Sequence, residues 1–307
     1  MVKKNYLVTG GAGFIGSMVA TKLIKSGHHV FIIDNLSTGK RENVPQGSFF
    51  IEGDCADSSL LSDLFNYKIE AIYHIAGQSS GEVSFENPEQ DLKSNVQSTL
   101  VLLQFAKSIG CKKFIYASSM SVYGNNTKLP VDETSETKPV SFYAVGKLAS
   151  EHYLSIFKSF GIKTIALRLF NVYGPGQNLK NLKQGMASIY LAQALESKKI
   201  VVKGSTSRFR DFVYISDVVE CFLRCEDEQV QSGVYNICTG KKVLVQEILD
   251  SIKNSISQDI EIVVVDGTLG DQHGIYGNPL KSNKIFGFSC NVDFSDGMTE
   301  MIKWAKK

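Results

Sequence analysis

No stretch of this chain approaches the roughly 18 consecutive apolar residues that a membrane span needs. The N-terminal MVKKNYLVTG carries two lysines but no following apolar run of signal-peptide length. A cytoplasmic protein with no membrane partner is therefore expected. Charge of one sign is equally scarce: Lys+Arg 33 against Asp+Glu 31 leaves a net charge of +2. That excludes an extended field for nucleic acid, while local anion sites stay open. The six cysteines are scattered at 55, 111, 221, 225, 238 and 290. Cys221 and Cys225 lie four apart in a helical-looking stretch, without the second cysteine or histidine pair that zinc spacing requires. They read as small buried apolar residues in a reducing compartment, and neither a metal nor a disulfide is expected. Internal repeats and low-complexity tracts are absent as well.

What is present is ordinary material for a globular protein: 307 residues, 43% hydrophobic and 21% charged, enough for two domains or one elaborated one. The first 170 residues alternate short apolar runs with amphipathic stretches. The runs are NYLVT (5–9), HVFIID (29–34), SFFIEG (48–53), AIYHIAG (71–77), KKFIYASS (112–119) and KTIALRLF (163–170). Helical patterns lie between them, including FIGSMVATKLIKSG (14–27) and a longer stretch over 89–109. Strands separated by helices predict parallel crossovers and a doubly wound α/β sheet. Most of these runs are apolar on both faces, as a sheet covered by helices requires. After Gly174 the rhythm loosens into IVVKG (200–204), RDFVYISD (210–217), VYNIC (234–238), IEIVVVD (260–266) and a closing helix near 295–306. Two domains are expected, a Rossmann-type one over 1–173 and a smaller mixed α/β one over 174–307.

TGGAGFIGS (9–17) follows the first strand and opens the first helix, so Gly11, Gly13 and Gly16 satisfy G-x-G-x-x-G in the context that gives it meaning. Glycine allows the tight turn and lets the backbone approach a pyrophosphate, whose charge then meets the helix N-terminus. Asp34 ends the second strand, where a carboxylate accepts hydrogen bonds from an adenosine ribose and repels a 2′-phosphate. NAD is expected rather than NADP. Asp54, after the third strand, is placed either to contact adenine or to sit in a solvated turn.

At 143–147 the chain reads YAVGK, and SSMSVYG lies upstream at 118–124. Within a helix, i and i+4 share a face, so Tyr143 and Lys147 stand one above the other. A free phenol ionises near pH 10 and is a poor base at neutral pH. A neighbouring ammonium, helped by a cationic nicotinamide, favours the phenolate. Ser119 ends the fifth strand at the carboxyl edge, where its hydroxyl can orient a substrate hydroxyl that Tyr143 deprotonates. On the pattern alone an exposed Tyr–Lys pair would be the default. Beside a dinucleotide fingerprint and a serine-tipped strand, a catalytic Ser119–Tyr143–Lys147 set is expected.

These features together resemble the extended short-chain dehydrogenase/reductase family, especially its UDP-glucose 4-epimerase-like nucleotide-sugar enzymes. The matching stretches are TGGAGFIG, DNLSTG (34–39), GD (53–54), HIAG (74–77), SSMSVYG, YAVGK, RLFNVYGPGQ (168–177) and RDFVYISDV (210–218). The resemblance implies a Rossmann domain holding NAD and a C-terminal domain holding a nucleoside diphosphate sugar, most often of UDP. By position it implies NAD contacts from Gly10, Gly13, Phe14 and Ile15 at the first turn. Asp34, Asn35, Ser37 and Gly39 would follow the second strand, and Asp54 and Cys55 the third. Ala76, Gly77, Asn95 and Ser118 complete the implied set with Tyr143 and Lys147. For the sugar nucleotide it implies Ser79, Ser119, Asn171, Arg210 as a diphosphate partner, and Asp271. It also implies a homodimer built on the helices near 89–109 and 143–160.

Where family members commonly carry a second diphosphate arginine, this chain has Thr268. Arg208 and Lys183 are candidates to supply the missing cation. The position resembling the family's gate for N-acetylated sugars is Ile275, smaller than an aromatic, which suggests tolerance of an N-acetylhexosamine. Related 4,6-dehydratases carry an Asp-Glu pair just after the catalytic serine or threonine, and related decarboxylases a glutamate. Met120 and Ser121 stand there and supply no acid or base. The resemblance therefore points to a nucleotide-sugar 4-epimerase. A 4-keto-sugar reductase needs the same three residues and stays open. A non-catalytic NAD-binding scaffold on the same fold is a third alternative.

Overall fold

A computed structural model of the chain describes residues 3–126, 128–256, 259–267 and 273–307. The six expected strands form as β1 (Asn5–Thr9), β2 (His29–Asp34), β3 (Phe49–Glu52), β4 (Ile69–His74), β5 (Lys113–Ser119) and β6 (Lys163–Leu169). Their side chains are buried on both faces in β1, β2, β4, β5 and β6, which is what a sheet sandwiched by helices demands. Helix α1 (Phe14–Lys25) buries Gly16, Val19, Ala20 and Leu23, the i, i+3, i+4, i+7 face. Short helices α2 (Gly81–Glu86) and α3 (Pro88–Leu92) follow β4, and α3 runs through a π turn over Lys93–Gln97 into α4 (Ser98–Ser108). Helix α5 (Phe142–Phe157) is capped by Ser141, whose hydroxyl accepts from the Ala144 amide at 3.2 Å.

Beyond β6 the chain makes β7 (Asn171–Tyr173), α6 (Met186–Ser197), β8 (Lys199–Lys203), β9 (Phe209–Arg210), β10 (Phe212–Tyr214) and α7 (Ile215–Arg224). It continues through β11 (Gly233–Ile237), β12 (Val243–Leu244), α8 (Val245–Ile256), β13 (Glu261–Val265), α9 (Leu280–Phe286) and α10 (Phe294–Ala305). The main sheet has seven parallel strands in the order β11-β6-β5-β4-β1-β2-β3. The order reverses between β1 and β4, so a crevice opens at their carboxyl ends, where open α/β sheets bind ligands. Hydrophobic clusters cover the two faces of this sheet, and a third gathers Val202, Ile248, Leu249, Ile252, Met298 and Met301 in the C-terminal half.

The strand Gly233–Ile237 falls past residue 174 in sequence but lies in the main sheet, pairing Gly233–Ile237 against Ile165–Leu169. The chain thus returns to the nucleotide-type fold after starting its second half, and α7 packs on α1. Asp211 ties this crossing together. It is fully buried, and its carboxylate accepts from Thr239 N at 2.8 Å, Thr239 Oγ1 at 2.6 Å, Gly240 N at 2.9 Å and Gly277 N at 3.3 Å. Replacing Asp211 with Asn points an amide at backbone donors that have no other outlet. The variant is expected to lose about 3 kcal/mol of stability, the scale of buried donors left unpaired, read as a lower urea midpoint with an unchanged slope.

Candidate active site

The turn after β1 is built on steric necessity. Gly10 has φ +72°, and a Cβ there would sit 2.7 Å from the Ala76 amide nitrogen. A Cβ at Gly16 would sit 2.1 Å from the Gly10 carbonyl oxygen. Only glycine lets α1 start this close to the strand, which turns the first amides of the helix toward the crevice. Asp34 is held beside the turn: its carboxylate accepts from Ala12 N at 2.9 Å and from Leu36 N at 2.8 Å.

A cleft of about 550 Å³ runs from this turn, past the ends of β4 and β5, to the loop ahead of α6. Every residue expected to contact NAD lines it except Asn95, and so do Ser79, Ser119 and Asn171. Asn95 lies one layer deeper, under the backbone of Gly77, where it donates to Gln78 O at 3.0 Å and Asp91 Oδ1 at 3.1 Å. Ser118 lines the cleft but gives its hydroxyl to Glu151 Oε1 at 2.5 Å. Asp54 pairs with Lys93 at 2.9 Å. Burial, reinforced by Asp54, pushes the Cys55 thiol up to about 12, so this cysteine contributes shape rather than a nucleophile.

Tyr143 and Lys147 stand on the buried face of α5, 8% and 4% exposed, against the end of β5. Close packing of α5 is allowed by Gly146, where a Cβ would meet Asn95 Cβ at 3.3 Å. The Lys147 ammonium donates to Ala117 O at 2.9 Å and lies 5.7 Å from the centre of the Tyr143 ring. Burial lowers Lys147 to about 8, against the opposing pull of Asp91 and then Glu151. Burial also raises Tyr143 to about 12, offset by a hydrogen bond with the Ser119 hydroxyl and reinforced by Asp91. In the protein alone burial prevails at Tyr143, so the expected phenolate depends on the cationic nicotinamide as well as on Lys147. Ser119 also accepts from Ser121 N at 3.1 Å, which caps the short turn Met120–Tyr123.

Other expected residues lie elsewhere. Arg210, on β9, is 5% exposed, donates to Phe209 O at 2.8 Å and His273 O at 3.3 Å, and is not among the cleft-lining residues. Asp271 and Thr268 lie outside the described residues. Of the two candidate replacement cations, Arg208 is buried with its guanidinium on Lys203 O, whereas Lys183 lines the cleft and pairs with Glu86 at 2.7 Å. Ile275 is 1% exposed in the main core and does not line the cleft.

Residues 6–238 match the NAD dependent epimerase/dehydratase family. The chain belongs to that family. It is an NAD-dependent enzyme of the extended short-chain dehydrogenase/reductase kind. A UDP-glucose 4-epimerase from Mycolicibacterium smegmatis is 30% identical over 305 residues, covering 97% of each protein. The crystal structure of a UDP-glucose 4-epimerase from Thermotoga maritima with UDP-glucose superimposes with a TM-score of 0.95 at 34% identity, covering 98% of both chains. A Thermus thermophilus UDP-glucose 4-epimerase complexed with NAD gives 0.91 at 32% identity, covering 98% of this chain and 99% of that one.

NAD is the family's cofactor, and the residues of this epimerase/dehydratase-family cleft fit it. The glycine cradle leaves room for a diphosphate against the helix amides. At or beside the cleft, Asn95 Oδ1, Asn171 Oδ1 and Gln177 Oε1 are buried acceptors without a protein partner among the described residues, the kind of group a bound molecule satisfies. Sequence reasoning missed Gln78, Asp91 and Gln177. Asp91 was detectable in principle as the residue one turn before Asn95. Gln177 closes a stretch already singled out, but nothing local marks its amide as buried. Gly16→Ala is expected to weaken NAD binding at least about tenfold, a step of about 1.4 kcal/mol, in a fluorescence titration, with the far-UV circular dichroism unchanged.

Proposed function

We propose that the protein is an NAD-dependent 4-epimerase of a UDP-hexose or UDP-N-acetylhexosamine, working by transient oxidation at carbon 4. The observation that carries this is the convergence of Ser119, Tyr143 and Lys147 on one cleft with the glycine cradle, with Met120 and Ser121 next to the serine. Neither of those two can act as the acid or base that water elimination or decarboxylation would use. The named UDP-glucose 4-epimerases among the relatives support the same reading.

The glycine turn of 10–16, with Phe14 and Ile15, holds the dinucleotide's diphosphate. Asp34, Asn35, Ser37 and Gly39 hold the adenosine ribose side. Asp54 and Cys55 border the adenine, and Ala76, Gly77 and Ser118 border the nicotinamide half. NAD, when bound, accepts a hydride from a sugar carbon and gives it back, and its cationic ring supplies the electrostatic pull on Tyr143 that Lys147 alone does not. Tyr143 takes the proton of the sugar 4-hydroxyl at its phenolic oxygen and later returns one. Ser119 orients that hydroxyl through the same hydrogen-bond network. Lys147 holds the nicotinamide ribose and keeps a positive charge beside the phenolate. Asn171 and Ser79 orient the sugar nucleotide. Arg210 and Asp271 belong to its diphosphate side, and Lys183, which already faces the cleft, supplies the cation missing at Thr268.

Two copies of the chain meet along α4 and α5. Leu100, Tyr153, Ile156, Phe157 and Phe160 form an apolar groove there, with Ile156 57% and Phe160 50% exposed. The enzyme works in the cytoplasm, where its six free thiols, five of them buried, stay reduced. Among the described residues no helix is long and apolar enough to cross a membrane.

Proton NMR of the purified protein with UDP-N-acetylglucosamine or UDP-glucose, and no added cofactor, tests the activity. A new anomeric signal rising to a stable ratio is the expected result, and turnover only of 4-keto sugars with added NADH would replace the epimerase with a reductase. Tyr143→Phe should bind NAD normally and lose about 10²- to 10⁴-fold in kcat, the range for a positioned acid–base group. Because Lys147 must keep its proton and its folded value is about 8, kcat should hold to about pH 8 and fall above it. Ile156→Asp should convert a dimer to a monomer in light scattering.

A further inference from the structure

Three successive residues at the end of β5 each engage a different turn of α5. The Ser119 hydroxyl lies against Tyr143, the Ala117 carbonyl accepts from Lys147, and the Ser118 hydroxyl donates to Glu151. The first two of these contacts serve the acid–base set directly. The third joins it to a buried ion pair that has no part in the proton transfer described above. Arg168 stands beside Ser118 across the β5–β6 register and grips Glu151 in a fork, Nε to Oε1 at 3.0 Å and Nη2 to Oε2 at 2.7 Å. Both side chains are only 5% exposed. The guanidinium also lies over the Tyr123 ring, 4.7 Å from its centre.

Stability alone is a poor reason for such a pair, because desolvating both charges offsets their attraction and an apolar substitute of the same volume is often no worse. Its place in the fold suggests another. Glu151 follows Lys147 by one helical turn, on the same buried face. The groups facing Lys147 can be named from every side. Asp91 reaches it from α3, Tyr116 from β5 with its ring centre 4.8 Å away, and Tyr143 and Glu151 from its own helix. His74, on β4, is fully buried between Thr9 and Thr99 and is held neutral by that burial. Among the described residues, only Asp91 and Glu151 bring negative charge to this ammonium, whose hydrogen bond goes to the Ala117 carbonyl.

We propose that Glu151 is a positioning residue for Lys147: clamped by Arg168 and Ser118, it fixes a negative charge one turn behind the catalytic lysine and keeps that lysine an ammonium in a cleft that desolvates it. Arg168 acts at one remove, holding the carboxylate ionised and in place. The proposal rests on the catalytic role of Lys147 given above, but its physical content is a property of the protein alone.

The test is the titration of Lys147 itself, by NMR of protein carrying ¹³C-labelled lysine, with the Lys147 resonance identified by its loss in Lys147→Arg. Glu151→Gln keeps the shape and removes the charge, and is expected to move the Lys147 midpoint down by about one pH unit, the usual effect of a charge at this range. The double variant Glu151→Gln, Arg168→Gln removes both charges and leaves no lone buried cation. Its midpoint is expected between those of wild type and the single variant, and it serves alone if the single variant does not fold. A midpoint within experimental error of wild type in the folded variants would overturn the proposal, leaving Glu151–Arg168 as a structural clasp. In parallel, the alkaline limb of kcat against pH should move with the NMR midpoint. If Lys147 shifts in the NMR but no UDP-hexose is turned over by wild type, the positioning stands and the proposed function fails.

Discussion

The hydrogen bond from the Lys147 ammonium to the Ala117 carbonyl is the contact around which the rest of the cleft is arranged. The pairing of β5 with β4 ends at Tyr116 opposite His74, and the carbonyl of the next residue, Ala117, receives a side chain from the helix that crosses above. That helix must come close for the lysine to reach it. Gly146 permits the approach, and the π turn at 93–97 and the small residues around it form the surface that receives α5. Once α5 is seated, Tyr143 falls beside Ser119 and Glu151 falls beside Ser118. The same seating buries the lysine and the tyrosine, so proximity and desolvation arrive together. The docking of this helix sets the burial of the proposed acid–base residues, before any neighbouring charge acts on them.

Opposed effects decide its electrostatics. Burial drives lysine and tyrosine alike toward their neutral forms, and the carboxylates of Asp91 and Glu151 pull only the lysine back. Asp91 works against the phenolate for the same reason that it helps the ammonium. The protein therefore supplies a charged lysine and a phenol that is hard to ionise. In the proposed mechanism, a cofactor that brings positive charge on binding couples its own occupancy to the ionisation of Tyr143.

Much of this was legible in the sequence, for identifiable reasons. The strands β1, β2, β4, β5 and β6 are apolar on both faces, and that pattern arises in few other settings. The glycine turn and the Tyr143–Lys147 spacing are local, and local geometry is what a sequence states directly. Long-range geometry is not. Nothing around 233–237 indicates that this strand pairs with residues 165–169, and nothing around Arg210 shows that its guanidinium turns to the carbonyls of 209 and 273. Asp91, Glu151 and Gln177 look like surface residues on a helix or loop until the helix has been docked. A sequence shows the charge beside Tyr143 but not the burial that competes with it.

The pairing of β11 with β6 has a consequence for synthesis. Until residue 237 has been made, β6 is an open edge with its backbone donors and acceptors exposed, beside a nucleotide-type sheet that otherwise has all its strands. Such an edge is a template for the wrong partner. A chain cut near residue 173 would therefore not be a free-standing NAD-binding module but a fold with one side unfinished.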